Sequence, residues 1–218
     1  MKIVCTSDTH GYHHDLKVPD GDVFIHAGDI TMCGEFGVMA DFNDWLKTLP
    51  HTYKIVIAGN HDKPLGDSPT LGTKIFSNAI YLQNSAVEIE GLKFWGSPIT
   101  PAFGGMREGL AFYTNNKAEA KNTWKQIPKD TDVLITHGPP LHILDEVENR
   151  FNLYFDKENC GDGILAARVI EIKPKLHAFG HIHEGYGEYI ASYGTHFVNC
   201  SAVNETYNII NKPIVVNI

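Results

Sequence analysis

The residues best equipped for chemistry stand in five short groups: Asp8-Thr9-His10, Gly28-Asp29, Gly59-Asn60-His61, Thr136-His137-Gly138 and Gly180-His181-Ile182-His183. Imidazole nitrogens mixed with carboxylate and amide oxygens suit Mn, Fe, Zn or Ni better than Mg or Ca, which prefer all-oxygen shells. In Asp8-x-His10 and His181-x-His183, positions i and i+2 face the same way if the backbone is extended, so each pair can aim two side chains at one point. Asp29, with two oxygens, can bridge two cations, and Asn60 offers a neutral oxygen. Two divalent ions held by Asp8, Asp29 and a hydroxide leave a site about one charge positive, which attracts an anionic substrate and stabilises charge in its transition state. The five groups together point to a metal-dependent hydrolase.

Each group follows a short apolar run that reads as a strand: Lys2–Ser7, Asp22–Ala27, Tyr53–Ala58, Asp132–Thr136 and Leu176–Gly180. Most are near-continuous in Val, Ile and Phe, the pattern of strands buried on both faces. An α/β fold gathers its chemistry at such strand ends. Further strands are expected over Ala86–Glu90, Lys93–Gly96, Tyr189–Ser192, His196–Asn199 and Pro213–Asn217, with hairpin turns at Glu90-Gly91-Leu92 and Ser192–Thr195 making this set partly antiparallel. Helical spacing predicts Val38–Leu49, closed by Pro50, together with Asn116–Gln126 and Gly163–Ile172. The irregular stretch Ser97–Asn115 carries Phe103, Gly104, Gly105, Phe112 and Tyr113, and loops of that length usually carry function. Phe103, Phe112 and Tyr113 either stack a base or pack the loop.

With 218 residues, 43% hydrophobic and 20% charged, the chain suits a single domain spanning 1–218. Its net charge of −8 argues against a general nucleic-acid surface, which needs a basic face. Cys5, Cys33, Cys160 and Cys200 form no C-x-x-C pair. Reduced and mostly buried thiols in a cytoplasmic protein are expected, with Cys33 placed to line the pocket. No apolar stretch reaches the roughly 18 residues that span a bilayer, and the N-terminal run is too short for a signal h-region.

In their order, Asp8-x-His10, Gly28-Asp29, Gly59-Asn60-His61-Asp62, His137 and Gly180-His181-x-His183 resemble the signature of the calcineurin-like metallophosphoesterases. The likeness is strongest to the small metallophosphoesterase-domain (MPPED-like) phosphodiesterase branch, through Phe42–Leu46, Tyr53–Asp62, Thr136–Leu141 and Pro174–Gly187. Mammalian members of that branch have Gly where this chain has His181, whereas this chain keeps the full ligand set. The resemblance implies a four-layer αββα sandwich, two mixed β-sheets flanked by helices. It implies that Asp8, His10, Asp29 and His183 hold a first metal and Asp29, Asn60, His137 and His181 a second, with Asp29 bridging. The ions would lie roughly 3.5–4 Å apart, manganese foremost, and lower the pKa of a shared water for in-line attack on phosphorus. His61 matches the position that contacts the phosphate and assists the leaving oxygen, oriented by Asp62 or Asp29. The implied substrates are small nucleotide-like or cyclic phosphodiesters, since no large cap domain is visible to close over a bulky one.

Any one histidine alone is more often structural than a ligand. That reading holds for His26, His51, His142, His177 and His196, and stays open for His13 and His14 between pocket lining and solvated loop. Asp15, Asp20, Asp22, Asp41 and Asp44 read as turn, cap or solvated residues. Phe103–Gly105 is no phosphate-cradling loop, since no G-x-x-x-x-G-K-[ST] occurs. The competing functions are a phosphomonoesterase on the same site, an interaction scaffold of the same fold, and a His-x-His amidohydrolase. Ligand completeness disfavours the scaffold, and the C-terminal position of Gly180–His183 disfavours the amidohydrolase.

Overall fold

The computed structural model describes residues 1–68, 70–101, 110–114, 116–148 and 157–218. Phe103–Gly105, and with them part of the expected functional loop, lie outside the described residues.

In chain order the first strands are β1 (Lys2–Thr6), β2 (Val23–Ala27), β3 (Tyr53–Ile57), β4 (Ile80–Tyr81), β5 (Ser85–Ile89), β6 (Leu92–Ser97), β7 (Thr100–Pro101) and β8 (Tyr113–Thr114). They continue with β9 (Val133–Thr136), β10 (Glu146–Glu148), β11 (Lys157–Asn159), β12 (Leu176–Phe179), β13 (Gly187–Ile190), β14 (His196–Asn199) and β15 (Ile214–Asn217). The helices are α1 (Phe36–Thr48), α2 (Lys63–Asp67), α3 (Leu71–Ile75), α4 (Lys117–Lys125) and α5 (Gly163–Ile172).

Two mixed sheets result. One runs β15-β1-β2-β3-β4 and the other β13-β14-β12-β9-β6-β5. Strands β1 to β4 pair in parallel, with β15 antiparallel on the outer edge of β1. In the second sheet β6, β9, β12 and β14 are parallel, and the two expected hairpins, β5–β6 and β13–β14, supply its antiparallel edges.

Side-chain alternation on the central strands builds three cores at once. Ile3, Cys5, Ile25 and Ile57 of the first sheet face Phe94, Val133, Ile135 and Ala178 of the second. Their neighbours Val4, Phe24 and Val56 turn outward onto Phe42, Trp45 and Leu46 of α1. On the far side Leu134, Phe179 and Phe197 meet Trp124 of α4 and Leu165 and Val169 of α5. Strands buried on both faces therefore read as continuous apolar runs, and the layers are helix, sheet, sheet, helix.

The helix ends follow local chemistry. The Asn116 side chain accepts from the backbone N–H groups of Ala118 and Glu119 and starts α4; Asp162 does the same for Ile164 and Leu165 of α5. The major elements lie within two residues of the expected bounds. Short β4, α2 and α3 and the pairs β7–β8 and β10–β11 leave no mark in the sequence, because two to five residues show no periodicity. Among the described residues no helix is long and apolar enough to cross a membrane.

Candidate metal centre

All five groups meet where the parallel strands end, at the seam between the sheets. Ser7 stitches that seam: its N–H donates to Cys200 O at 2.9 Å, and its carbonyl accepts from Ala202 N–H at 2.9 Å. Three further backbone bonds hold the turns after β1 and β2 together, Asp8 N–H to Gly28 O, His10 N–H to Asp29 O and Gly11 N–H to Ile30 O, at 2.7 to 3.1 Å. The chain there is not extended. Asp8, His10, Asp29 and His181 have φ of 52°, 44°, 56° and 70°, a left-handed region that costs an L-residue roughly 1 kcal/mol each. The expected convergence of Asp8 with His10 is thus correct, but tight turns produce it rather than strand alternation. Such outliers persist only where the surroundings over-determine them.

Close approach explains two of the glycines. At Gly180 a Cβ would lie 2.1 Å from both Asp8 Oδ2 and Ser7 Oγ; at Gly28, where φ is +98°, it would lie 2.7 Å from His137 Nδ1. Nothing larger leaves room for the groups that converge.

The ligand atoms fall into overlapping sets. Asp8, His10 and His183 present atoms within 4.8 Å of one another, as do Asp29, His137 and His181, and His10, Asp29 and His61. His183 Nε2 lies 3.7 Å from Asp8 Oδ1, and Asp29 Oδ2 lies 3.9 Å from His10 Nε2 and 3.3 Å from His137 Nε2. Asn60 Oδ1 is 2.9 Å from His137 Nε2. Asp29 therefore touches both expected sets, and every sequence-predicted ligand is brought into the one cluster.

Four imidazoles are oriented alike. Nδ1 of His10 meets Thr31 O at 3.1 Å, that of His61 meets Met32 O at 2.6 Å, that of His137 meets Ala27 O at 2.9 Å, and that of His183 meets Asn204 O at 3.1 Å. A carbonyl only accepts, so each Nδ1 carries a proton and each Nε2 points into the centre, where those of His10, His137 and His183 can ligate once deprotonated, the usual arrangement around a metal-ligating histidine. His10 Nε2 is buried with no hydrogen-bond partner. His137 Nε2 and Asn60 Oδ1 approach at 2.9 Å, so a proton or a cation stands between them. The orphaned His10 Nε2, the Nε2–Oδ1 contact that needs a cation or a proton, and two buried carboxylates fit divalent transition ions.

Without an ion, protonated imidazoles balance the buried carboxylates. Burial opposes ionisation of Asp8 and Asp29. The His183 and His137 imidazoles nevertheless hold Asp8 well below the usual carboxylate range, and His137, His10 and His61 do the same for Asp29. Burial by itself would lower His137, yet the Asp29 carboxylate raises it to about 9, while burial takes His181 down to about 3.

Three expectations change. The backbone carbonyl of Met32 orients the His61 ring; Asp29 Oδ1 instead accepts its backbone N–H at 2.8 Å. Asp62 is a buried anchor that accepts from the N–H groups of Ile30, Thr31 and Gly59 and from Thr31 Oγ1, tying the β2 and β3 loops together. Burial and then the nearby Asp29 push its carboxyl up to about 6. Cys33 is exposed, and it is Cys160 that lines the cleft. Phe112 packs against the α1-side core, whereas Tyr113 borders the cleft with its ring 6.2 Å from that of His181. His26, His142, His177 and His196 stay outside the cluster; His26 bonds Thr9 Oγ1, His177 bonds Thr136 Oγ1 and His196 bonds Glu188.

The open cleft above the centre encloses about 360 Å³, with Tyr113, Tyr207, Glu184 and Glu205 beside the ligands. The Tyr207 ring sits edge-on to His10, His61 and His183. Tyr207 and the orienting carbonyls escaped sequence reasoning. A carbonyl carries no residue signature, and Tyr207 lies far from every motif.

Residues 1–185 match the calcineurin-like phosphoesterase family. The chain is 39% identical to a UPF0046 protein of Caenorhabditis elegans, covering 99% of this chain and 74% of that one. It is 36% identical to human metallophosphoesterase domain-containing protein 1, covering 100% and 71%. Among solved structures, the fold resembles that of phosphopantetheinyl hydrolase from Mycobacterium tuberculosis, with a TM-score of 0.64 at 14% identity over 98% of this chain and 95% of that one. It also resembles the protein TT1561 of Thermus thermophilus, with a TM-score of 0.60 at 17% identity over 91% and 88%. With the signature groups gathered at one seam and relatives aligned along its whole length, the chain belongs to the calcineurin-like phosphoesterase family of metal-dependent phosphoric ester hydrolases.

Proposed function

We propose that the chain is a phosphodiesterase that uses two divalent transition ions, manganese foremost, to hydrolyse small nucleotide-like or cyclic phosphodiesters. The observation that carries this reading is the set of Nε2 atoms aimed inward by Nδ1–carbonyl bonds around two buried carboxylates. Asp8, His10, Asp29 and His183 would hold one ion, and Asp29, Asn60, His137 and His181 the other. Bound there, the ions supply Lewis acidity and bring the pKa of a water toward neutrality. His61 keeps its Nδ1 proton on Met32 O, which leaves Nε2 to carry the proton delivered to the leaving oxygen. Asp29 Oδ1 positions that loop through the His61 N–H.

The cleft supports a diester over a monoester. Among the described residues it is lined by no Lys or Arg, and Glu184 and Glu205 stand at its rim. From those described residues a dianionic monoester meets no guanidinium or ammonium for its extra charge, whereas a diester brings a single negative charge. Tyr113 and Tyr207 offer flat faces to a base or aryl leaving group.

The test is hydrolysis of bis(p-nitrophenyl) phosphate beside p-nitrophenyl phosphate, using metal-stripped protein with and without Mn²⁺. Manganese-dependent turnover favouring the diester is expected. Preference for the monoester would overturn the substrate class. No turnover in protein shown to bind two ions would overturn the enzymatic reading.

A further inference from the structure

Just beyond Asp8-Thr9-His10, the chain makes a short 3-10 turn at His13–Asp15. There His13 and His14 neither line the cleft nor stay solvated apart. His13 Nε2 lies 3.0 Å, and His14 Nε2 2.9 Å, from the same oxygen, Oδ2 of Asp41 on α1. We propose that His13, His14 and Asp41 form a separate transition-metal site, one that clamps the loop after β1 to α1.

The geometry suits an ion. A tetrahedral centre with bonds of about 2.0–2.1 Å sets its ligand atoms roughly 3.3 Å apart, a few tenths of an ångström wider than these contacts. All three ligand atoms lie within 4.8 Å of one another.

One ligand is fixed in advance. His13 is fully buried, its ring packed edge-on to Phe42 and tilted against Trp45 with both centroids at 5.3 Å, so Nε2 has a set direction. His14 and Asp41 have side chains 60% and 55% exposed, which leaves the outer face open to the ion and to a water in the fourth position.

Hydrogen bonds alone serve this cluster poorly. Two imidazoles share one carboxylate oxygen, and if His13 donates through Nε2, its buried Nδ1 is left as an acceptor with no partner. With an ion bound, Nε2 is a ligand and Nδ1 carries the proton. Nδ1 still lacks the carbonyl that orients each imidazole of the phosphoesterase centre, and packing alone holds the ring. This site is therefore weaker and fills at higher ion concentration.

Two imidazoles, one carboxylate and an open position favour Zn²⁺, Ni²⁺ or Cu²⁺ over Mg²⁺ or Ca²⁺. None of the three residues belongs to the ligand sets of the phosphoesterase centre, so the inference stands whatever number of ions that centre holds.

The experiment is equilibrium dialysis of the whole chain against excess Zn²⁺, with metal analysis per mole of protein. His14→Gln and Asp41→Asn are each expected to bind one ion fewer than wild type, and His14→Cys, which keeps a zinc ligand, to bind the wild-type number. Equal counts in wild type, His14→Gln and Asp41→Asn would overturn the site. Loss of the ion in His14→Cys would overturn it too, by showing that a disturbed loop rather than a lost ligand lowered the count.

Discussion

The two sheets contribute unlike halves to one centre. The ends of β1, β2 and β3 supply both carboxylates and the amide, from Asp8, Asp29 and Asn60, along with His10 and His61. The ends of β9 and β12 supply only imidazoles, His137, His181 and His183. Neither half closes either proposed ion position alone. His183 reaches Asp8 at 3.7 Å and His137 reaches Asp29 at 3.3 Å only because the Ser7 seam brings the sheets to backbone contact. The halves match in their support: beneath each lies a buried histidine bonded to a threonine, His26 with Thr9 and His177 with Thr136. Negative charge thus sits in one half alone, and the tertiary seam turns it into a shared site.

Breaking the seam has the largest expected effect. In Gly180→Ala the new methyl must displace Asp8 or Ser7, each 2.1 Å from it. Overpacking of that kind costs ~1–3 kcal/mol, and shifting a ligand by an ångström costs about 10²-fold or more in kcat/KM. Reduced metal content, a lowered Tm and lost turnover together are the expected result. Gly37→Ala, where nothing lies within 4 Å, is the control: it keeps metal content and turnover and, lying within α1, does not lower Tm. A Gly180→Ala protein with normal metal content would show that the halves do not depend on that contact.

Next comes His61→Ala, which removes a group of the first half that belongs to neither proposed ligand set. Turnover is expected to fall by about 10²-fold, the scale of general-acid catalysis, with metal content retained. Unchanged turnover in metal-replete protein would remove His61 from the mechanism.

The last effect, absent at neutral pH, tests the matching support. His26 and His177 are fully buried, and burial lowers both to about 3 from an ordinary 6.5. Below pH 6.5 the unfolded chain takes up protons that the folded one refuses, so stability is lost as pH falls from 6.5 toward 3. Each such histidine contributes about 1.4 kcal/mol per pH unit in that window. Denaturant titrations at successive pH values should show a shallower slope for His177→Gln, and an equal change for His26→Gln. An unchanged slope in either variant would mean that its histidine is charged in the folded state.

Much of the fold was legible because physical patterns repeat over enough residues. Five apolar runs, each ending in a ligand group, marked β1, β2, β3, β9 and β12. Phe42, Trp45 and Leu46 marked α1, and Pro174 closed Gly163–Ile172. Elements as short as β4 or β7 carry no period. The site residues were legible as types in order. Their orientation was not, since it depends on the carbonyls of Ala27, Thr31, Met32 and Asn204, which any residue could supply.

By itself, then, the sequence determined which donor atoms this protein has and that they sit at strand ends, because side-chain chemistry and apolar alternation are local. Only the tertiary structure decided that Asp8 and His10 converge through left-handed turns, that Asp62 anchors loops and does not touch the His61 ring, and that Tyr207 covers the histidines. It also decided that His13 and His14 meet Asp41. Those outcomes depend on packing between segments far apart in the chain, where one residue's environment is set by another's backbone.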